Sequence, residues 1–423
     1  MSTARGIGPG DEVIVNAHTC ATSIEASARS SWTESPTGRP NANSTTSGWQ
    51  RTSTLRGSTN RAGTSRKQAS TYGSLEHIRD SPDRRHRDVR SRSLAENEWS
   101  PRWRGIHDGA MTDEQAAYRI GWDQLPAAVR GAIEHRLHAR VQMVTIPSGG
   151  FSHGMAALVE LDDGRTVFAK AIPSDDALAV RYRTEADTVA HLPAVVPTPA
   201  VLFSIETTGW LVTVFEAVPG RHPRLDRPRE LAAVLAVVER LAEVLTPNPL
   251  PDVPTIEQSY GPELTGWRQF AEQGPPADLD RWSLRNLDRL AKLEATWSDL
   301  AAGDTLLHTD LRPDNMLYRN DGGVVVVDWA WPCSGAAWVD LVSLMPSLIA
   351  DGIDPDTILA THPVTADADP AAITAFVCAM SGYWARNSRL SAPARSPNLR
   401  VHQAEKARVS REWLTKRITM PGP

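Results

Sequence analysis

In the last third of the chain, Leu307-His308-Thr309-Asp310-Leu311-Arg312-Pro313-Asp314-Asn315 is followed, after a short strand and the turn Asn320-Asp321-Gly322-Gly323, by Val324-Val325-Val326-Val327-Asp328-Trp329. The spacing predicts two loops ending in carboxylates that flank a β-hairpin. Phosphoryl transfer from ATP needs a carboxylate to orient the attacking hydroxyl and oxygen ligands to hold Mg²⁺ against the phosphates, and little other covalent work from the protein. Asp310, Asn315 and Asp328 could supply these parts. The competing reading is a surface loop and an ordinary strand end, since Asp and Asn favour turns.

Upstream, Ser148-Gly149-Gly150-Phe151-Ser152-His153-Gly154 lies between two predicted strands, where a hairpin's backbone N–H groups could close over phosphates. Read alone it is a polar turn. Lys170 stands in the apolar strand Thr166 to Ile172, where most lysines are solvated edge residues.

Together these elements resemble the aminoglycoside phosphotransferase and choline kinase family, whose catalytic loop reads HxDxxxxN and whose metal-binding strand ends in a D-W type pair. The resemblance implies a two-lobed, protein kinase-like α+β fold with a small β-rich lobe and a larger α-helical one. It makes Asp310 the catalytic base, Asn315 and Asp328 the Mg²⁺ ligands, and His308 a brace of the loop. It also implies that Ser148, Gly149 and Gly150 cover the nucleotide, that Lys170 meets its α- and β-phosphates and that Glu185 on the next helix holds the lysine. Main-chain groups near Glu216 and Val218, in Val214-Phe215-Glu216-Ala217-Val218-Pro219-Gly220, stand where the family reads adenine.

Arg312 occupies the slot in which this family often has His and protein kinases Lys, so it either reaches the transferring phosphate or pairs with Asp314. Asp328-Trp329 replaces the Asp-Phe-Gly of protein kinases. Pro332 and an apolar helix near Ala337 to Leu348 follow, with no room for an activation segment, which disfavours protein substrates. Asp340 matches a family aspartate expected to tie the loop to that helix. Trp329, Trp331 and Trp338 are expected to be core or wall residues. The implied activity is ATP- and Mg²⁺-dependent phosphorylation of a hydroxyl on a small, aminated acceptor such as an aminoglycoside. Choline, homoserine and sugar kinases share the signature, and a protein kinase-like enzyme or a non-catalytic nucleotide-binding regulator are the rival classes. Asp351, Asp354, Asp356, Asp367 and Asp369 are candidates for meeting amines, with helix capping as the alternative.

The elements that must position these residues follow from periodicity. Leu125, Val129, Ile133 and Leu137 recur every four residues behind Pro126 and predict a helix; VQMVTIP, MAALVEL and RTVFAKAI predict strands, the last two joined by Asp163-Gly164. A helix over Asp175 to Leu192, a hairpin across Thr207-Thr208-Gly209, and helices over Glu230 to Leu245 and Leu279 to Leu300 complete the pattern. The expected organisation is a nucleotide-binding lobe over residues 111–220 and a catalytic and substrate-binding lobe over 221–423.

Residues 25–110, rich in Ser, Thr, Arg, Asn and Gly without a sustained period, cannot bury enough apolar area to offset ordering and are expected to be disordered. Before them, GIGPGDEVIVNAHTCATSIEA resembles a fragment of a pyridoxal phosphate-dependent sugar aminotransferase, without a cofactor lysine or the rest of that fold. Met111 is the expected true start, residues 1–110 being a mis-assigned leader. Residues 1–110 hold 16 Lys and Arg against 11 Asp and Glu, and the remainder 29 against 39. The acidic balance of the remainder argues against nucleic acid as a partner, because phosphate contacts need a basic surface. Cys20, Cys333 and Cys378 are too few and scattered for a disulfide framework, and no apolar stretch is long enough to span a bilayer. A cytoplasmic monomer or weak dimer without membrane contact is expected.

Overall fold

A computed structural model of the chain describes residues 91–92, 117–147 and 150–419, all within one compact unit; a second unit, residues 28–88, lies outside the described residues. So do the aminotransferase-like segment, Met111 and, in the glycine-rich loop, Ser148 and Gly149. Within the leader, Ser91–Arg92 departs from the expected disorder: it forms a two-residue strand, β1, parallel to Val144 and Thr145. The open edge of the neighbouring strand offers unpaired N–H and C=O groups that any extended backbone can satisfy.

Helix α1, Ala127–Leu137, forms where the four-residue apolar period predicts it, and Val129, Ile133 and Leu137 are buried with Leu125. It ends at His138, whose φ of 53° is left-handed. Strands β2 (Val141–Thr145), β3 (Met155–Leu161), β4 (Thr166–Pro173), β5 (Val201–Thr207) and β6 (Trp210–Glu216) assemble in the order β1-β2-β3-β4-β6-β5. The pairs beyond β1 are antiparallel, with turns at Gly164 and at Thr208-Gly209, where φ is positive. Strand alternation divides the side chains. Met155, Ala157 and Val159 of β3 and Val167, Ala169 and Ala171 of β4 meet α1 in one core, whereas Ala156, Leu158, Phe168 and Lys170 line a cleft on the other face. Helix α2, Ala179–His191, crosses that face. It starts later than expected because the Asp176 carboxylate accepts the Leu178 amide at 2.9 Å in an Asp-initiated turn.

The second lobe comprises α3 (Pro228–Val244), α4 (Ile256–Tyr260), α5 (Gly266–Gln273), α6 (Arg281–Arg285), α7 (Leu287–Glu294), α8 (Trp297–Leu300), α9 (Val339–Ala350), α10 (Pro355–Thr361), α11 (Pro370–Asn387) and α12 (Leu399–Thr419). Residues 279–300 therefore hold three short helices where the sequence predicts one. At Asn286 the backbone leaves helical geometry and the side-chain amide donates to the Trp282 carbonyl at 2.8 Å; at the next break the Thr296 hydroxyl donates to the Leu293 carbonyl at 2.9 Å. Side chains that bond the local backbone compete with the helix in this way. Helix α11 is buried on nearly all sides and forms the lobe's centre. Two small hairpin-like sheets sit among the helices: β7 (Thr305–Leu307) with β10 (Cys333–Gly335), and β8 (Met316–Tyr318) with β9 (Val324–Val326). These short ladders fix the chemistry-bearing loops. Among the described residues no helix is long and apolar enough to cross a membrane.

Candidate active site

Period-two alternation aims Lys170 away from the α1 core and toward α2, on which Leu178, Tyr182, Glu185 and Val189 recur every three or four residues and line the cleft. Lys170 Nζ donates to both Glu185 oxygens, at 2.8 and 2.7 Å, and to Asp328 Oδ1 at 3.1 Å. One cation thus joins a strand, a helix and a loop that are far apart in sequence. Burial opposes the lysine's charge, but the Asp328 and Glu185 carboxylates outweigh it and hold its pKa above the ordinary value. Burial pushes Glu185 up to about 7, with Asp328 adding to the effect against Lys170. Asp328 goes the other way: burial raises it, and Lys170 more than offsets that, leaving it below the usual carboxylate range.

The loop carrying His308, Asp310 and Arg312 runs between β7 and β8. The Asp340 carboxylate, on α9, accepts the amides of His308 at 2.8 Å and Thr309 at 2.7 Å, which ties the loop to the helix. Thr309 has a φ of 64°, a costly conformation for a β-branched residue. Its hydroxyl donates to the Trp331 carbonyl at 2.8 Å and accepts the Tyr260 hydroxyl at 2.5 Å, so three contacts offset that cost. His308 bonds the Val327 carbonyl through Nε2 at 2.9 Å and accepts the Asp310 amide at Nδ1 at 3.2 Å. Only the neutral tautomer protonated at Nε2 satisfies both, and burial lowers the His308 pKa in the same sense. His308 braces the two carboxylate loops against each other. Trp329 stacks edge-on against it with ring centroids 4.7 Å apart.

Replacing Asp340 by Ala leaves two buried amides without acceptors, and the fold is expected to lose about 2 to 4 kcal/mol. A urea titration followed by circular dichroism checks this, and Asp340→Asn should recover part of the loss, since it can still accept one amide.

Asp310 itself is buried. Its Oδ2 accepts Asn315 Nδ2 at 3.0 Å and its Oδ1 lies 3.2 Å from Arg312 Nε. Burial pushes its pKa up to about 6, against Arg312 and with the help of Asp314 and Asp328. Arg312 also reaches Asp314 at 3.0 Å, so it pairs with both acids. Asn315 spends its amide on the Asp310 carbonyl and carboxylate, which turns its Oδ1 away from Asp310. Asn315 and Asp328 both line the cleft, and an amide carbonyl and a carboxylate are hard oxygen donors of the kind Mg²⁺ takes when phosphates and water complete its shell.

The cleft has a volume of 220 Å³, walled by Ala156, Leu158, Phe168 and Val189 above and Leu317 and Val327 below, with Phe215, Glu216 and Val218 at its back. The Glu216 amide already donates to the Ala200 carbonyl at 2.9 Å, so this group is not open to an adenine edge. Gly150 is at the cleft with φ 74°. Gly154 packs so closely that a Cβ there would overlap the Tyr182 hydroxyl and lie 2.8 Å from the Ala171 carbonyl. Gly154→Ala is expected to cost about 1 to 3 kcal/mol through overpacking, read as a lowered Tm.

Three of the five acids proposed to meet amines have local partners. Asp354 accepts the Thr357 amide in the first turn of α10, Asp369 the Ala371 amide in the first turn of α11, and Asp356 holds Trp413 and Arg417 of α12. Asp351 is exposed and Asp367 also lies outside the cleft. Trp329 and Trp338 are core residues, and Trp331 walls the cleft beneath the Arg181 guanidinium, 3.6 Å from its ring centroid. Several residues in or beside the cleft were not visible in the motifs. Tyr182 was recoverable from its helical spacing to Glu185. Arg119 and the α12 residues His402 and Lys406 carry no sequence signal, because they arrive from outside the motif-bearing segments. Burial, with Arg312 adding to it, lowers Lys406 to about 8.

Comparison with known proteins matches the same region. The sequence model of the Phosphotransferase enzyme family matches residues 144–372. No curated protein matches the sequence. Among solved structures, a choline kinase from Streptococcus pneumoniae is similar at 12% identity over 68% of this chain and 98% of its own, with a TM-score of 0.48. An aminoglycoside phosphotransferase from Alicyclobacillus acidocaldarius is similar at 13% identity over 63% and 92%, with a TM-score of 0.44. A thermostable aminoglycoside phosphotransferase solved with ADP and hygromycin B gives 16% identity over 69% and 97%, with a TM-score of 0.46. With the family match spanning the strand before the glycine-rich loop through the Asp310 and Asp328 loops and into α11, the chain belongs to the phosphotransferase enzyme family and is an ATP-dependent phosphotransferase.

Proposed function

We propose that the enzyme transfers the γ-phosphoryl group of ATP to a hydroxyl of a small molecule, with Asp310 as the base. The observation that carries this reading is the convergence of Lys170, Glu185 and Asp328 into one ion cluster in the cleft that also holds Asp310 and Asn315. Lys170, fixed by Glu185, orients the α- and β-phosphates. Asn315 and Asp328 would hold Mg²⁺, which when bound neutralises charge on the phosphates. The acceptor oxygen attacks the γ-phosphorus, the bond to the β,γ-bridging oxygen breaks, and the acceptor's proton passes to the Asp310 carboxylate. A pKa of about 6 leaves that carboxylate ionised at neutral pH and still able to take a proton.

A small acceptor is favoured by the stretch after Asp328. Only ten residues separate it from α9, and three of them are held in β10 against β7. No length remains for a peptide-docking segment. Aminoglycosides are the first acceptors to test, with amino alcohols and sugars beside them. The experiment incubates the full chain with Mg·ATP and each acceptor, measures ADP release, and identifies the product by mass. ADP release that no acceptor stimulates above an Asp310→Asn control would sink the proposal.

A further inference from the structure

The segment ahead of α1 enters the cleft from outside the matched family region. It is pinned at two points: the Ala117 amide donates to the Gly150 carbonyl at 3.1 Å and the Tyr118 amide to the Arg395 carbonyl at 3.1 Å. The next residue, Arg119, lines the cleft, with Nη1 donating to the Pro147 carbonyl at 3.1 Å. Its Nη2 lies so close over Gly150 that a Cβ there would overlap it. The absence of a side chain at this position admits the guanidinium.

What Arg119 lacks is a counter-ion. Among the described residues it makes no ion pair, and its buried Nε has no hydrogen-bond partner. The residue is half-buried, and a guanidinium with a desolvated, unpartnered Nε at the wall of a cleft is stabilised when an anion meets it. Burial lowers its pKa, while Tyr182, Asp328 and Asp314 act in the opposite sense, which sets the group near the acids of the transfer end without contact to them. The anion that the established activity brings into this cleft is the polyphosphate of ATP.

We propose that Arg119 is a polyphosphate ligand, delivered over the glycine-rich loop by the segment that precedes the first helix. The proposal rests on ATP binding in this cleft. Arg119 thus supplies a second cation beside Lys170, with a planar set of donors that matches phosphate oxygens where an ammonium offers a point charge. The same segment, bonded to Gly150 on one side and Arg395 on the other, holds the loop against the second lobe.

The test measures binding, not turnover. Full-length protein, Arg119→Gln and Arg119→Lys are titrated calorimetrically with ATP, ADP and AMP in the presence of Mg²⁺. Losing a charge-assisted contact to the polyphosphate should weaken ATP and ADP by about ten- to a hundredfold in Arg119→Gln. AMP should change by less than about threefold, and Arg119→Lys should fall between Arg119→Gln and the parent. Equal losses for all three nucleotides, or no loss for any, overturn the proposal. If Arg119→Gln does not fold, the Arg119→Lys ratio of ATP to AMP affinity decides alone, an unchanged ratio counting against the proposal. A parent protein that binds neither ATP nor AMP overturns the ATP-site reading itself, and this proposal with it.

Discussion

Asp310→Asn is expected to lower kcat by about a thousandfold while leaving ATP affinity within a factor of about three, because general base catalysis of this kind contributes about 10²- to 10⁴-fold. The substitution keeps the size of the side chain and can still accept from Asn315, but it cannot take a proton and gives up its ion pair with Arg312. Steady-state kinetics with the best acceptor, and calorimetry with ATP, separate the two effects. The pH dependence follows from the same carboxylate. Its pKa is raised from 3.8 to about 6, so the base form is present above that value and lost as pH falls through it. Parent kcat/KM should therefore be level near neutrality and fall about tenfold per unit below pH 6, since that ratio reports the free enzyme. A limb near pH 4 would instead mark an ordinary, solvated carboxylate. His308 does not produce the limb: it is neutral and its ring nitrogens are bonded to Val327 and Asp310 on the two loops.

Asp328→Asn is expected to lower turnover on the order of a hundred- to a thousandfold, the range found when a preorganised charge is removed from an active site. Asp328 has a φ of 68°, and asparagine tolerates the left-handed region as well as aspartate does, so the loop should keep its shape. Two things change at once. The oxygen set beside Asn315 loses its charge, which should show as a raised Mg²⁺ requirement in the rate. Lys170 also loses one of its two carboxylates and keeps Glu185. Circular dichroism melts should place the variant within a few degrees of the parent, because the Asp328 side chain is partly exposed. A rate loss with an unchanged Mg²⁺ requirement would remove Asp328 from the proposed metal set.

The class of reaction was legible in the sequence because phosphoryl transfer needs few side chains, and the candidate residues Asp310 and Asn315 lie close together in the chain. Asp310 and Asn315 are separated by a single turn of chain that brings the Asn315 amide onto the Asp310 carboxylate. The helix period behind Pro126 and the strand alternation around Lys170 were equally visible, since local periodicity is what divides a core face from a cleft face. Residues 279–300 depart from the single helix their spacing predicts for a corresponding reason. Apolar spacing there suits a helix, and the breaks come from single side chains, Asn286 and Thr296, bonding their own backbone. Such competition is invisible to a pattern of apolar residues.

Taken by itself, the sequence determined which residue types could carry the reaction, the order of the two lobes and the resemblance that names a family. Tertiary structure decided the rest. It showed that Lys170 bridges Glu185 and Asp328, that Arg312 pairs with Asp310 and Asp314 alike, and that three of the five acids suspected of meeting an amine, Asp354, Asp369 and Asp356, cap helices or hold α12. It also brought Arg119 over Gly150 from a segment with no motif. The reason is electrostatic. A side chain's role depends on which charges stand within a few ångströms and how much water is excluded around them, and those distances are set by contacts between residues remote in the chain.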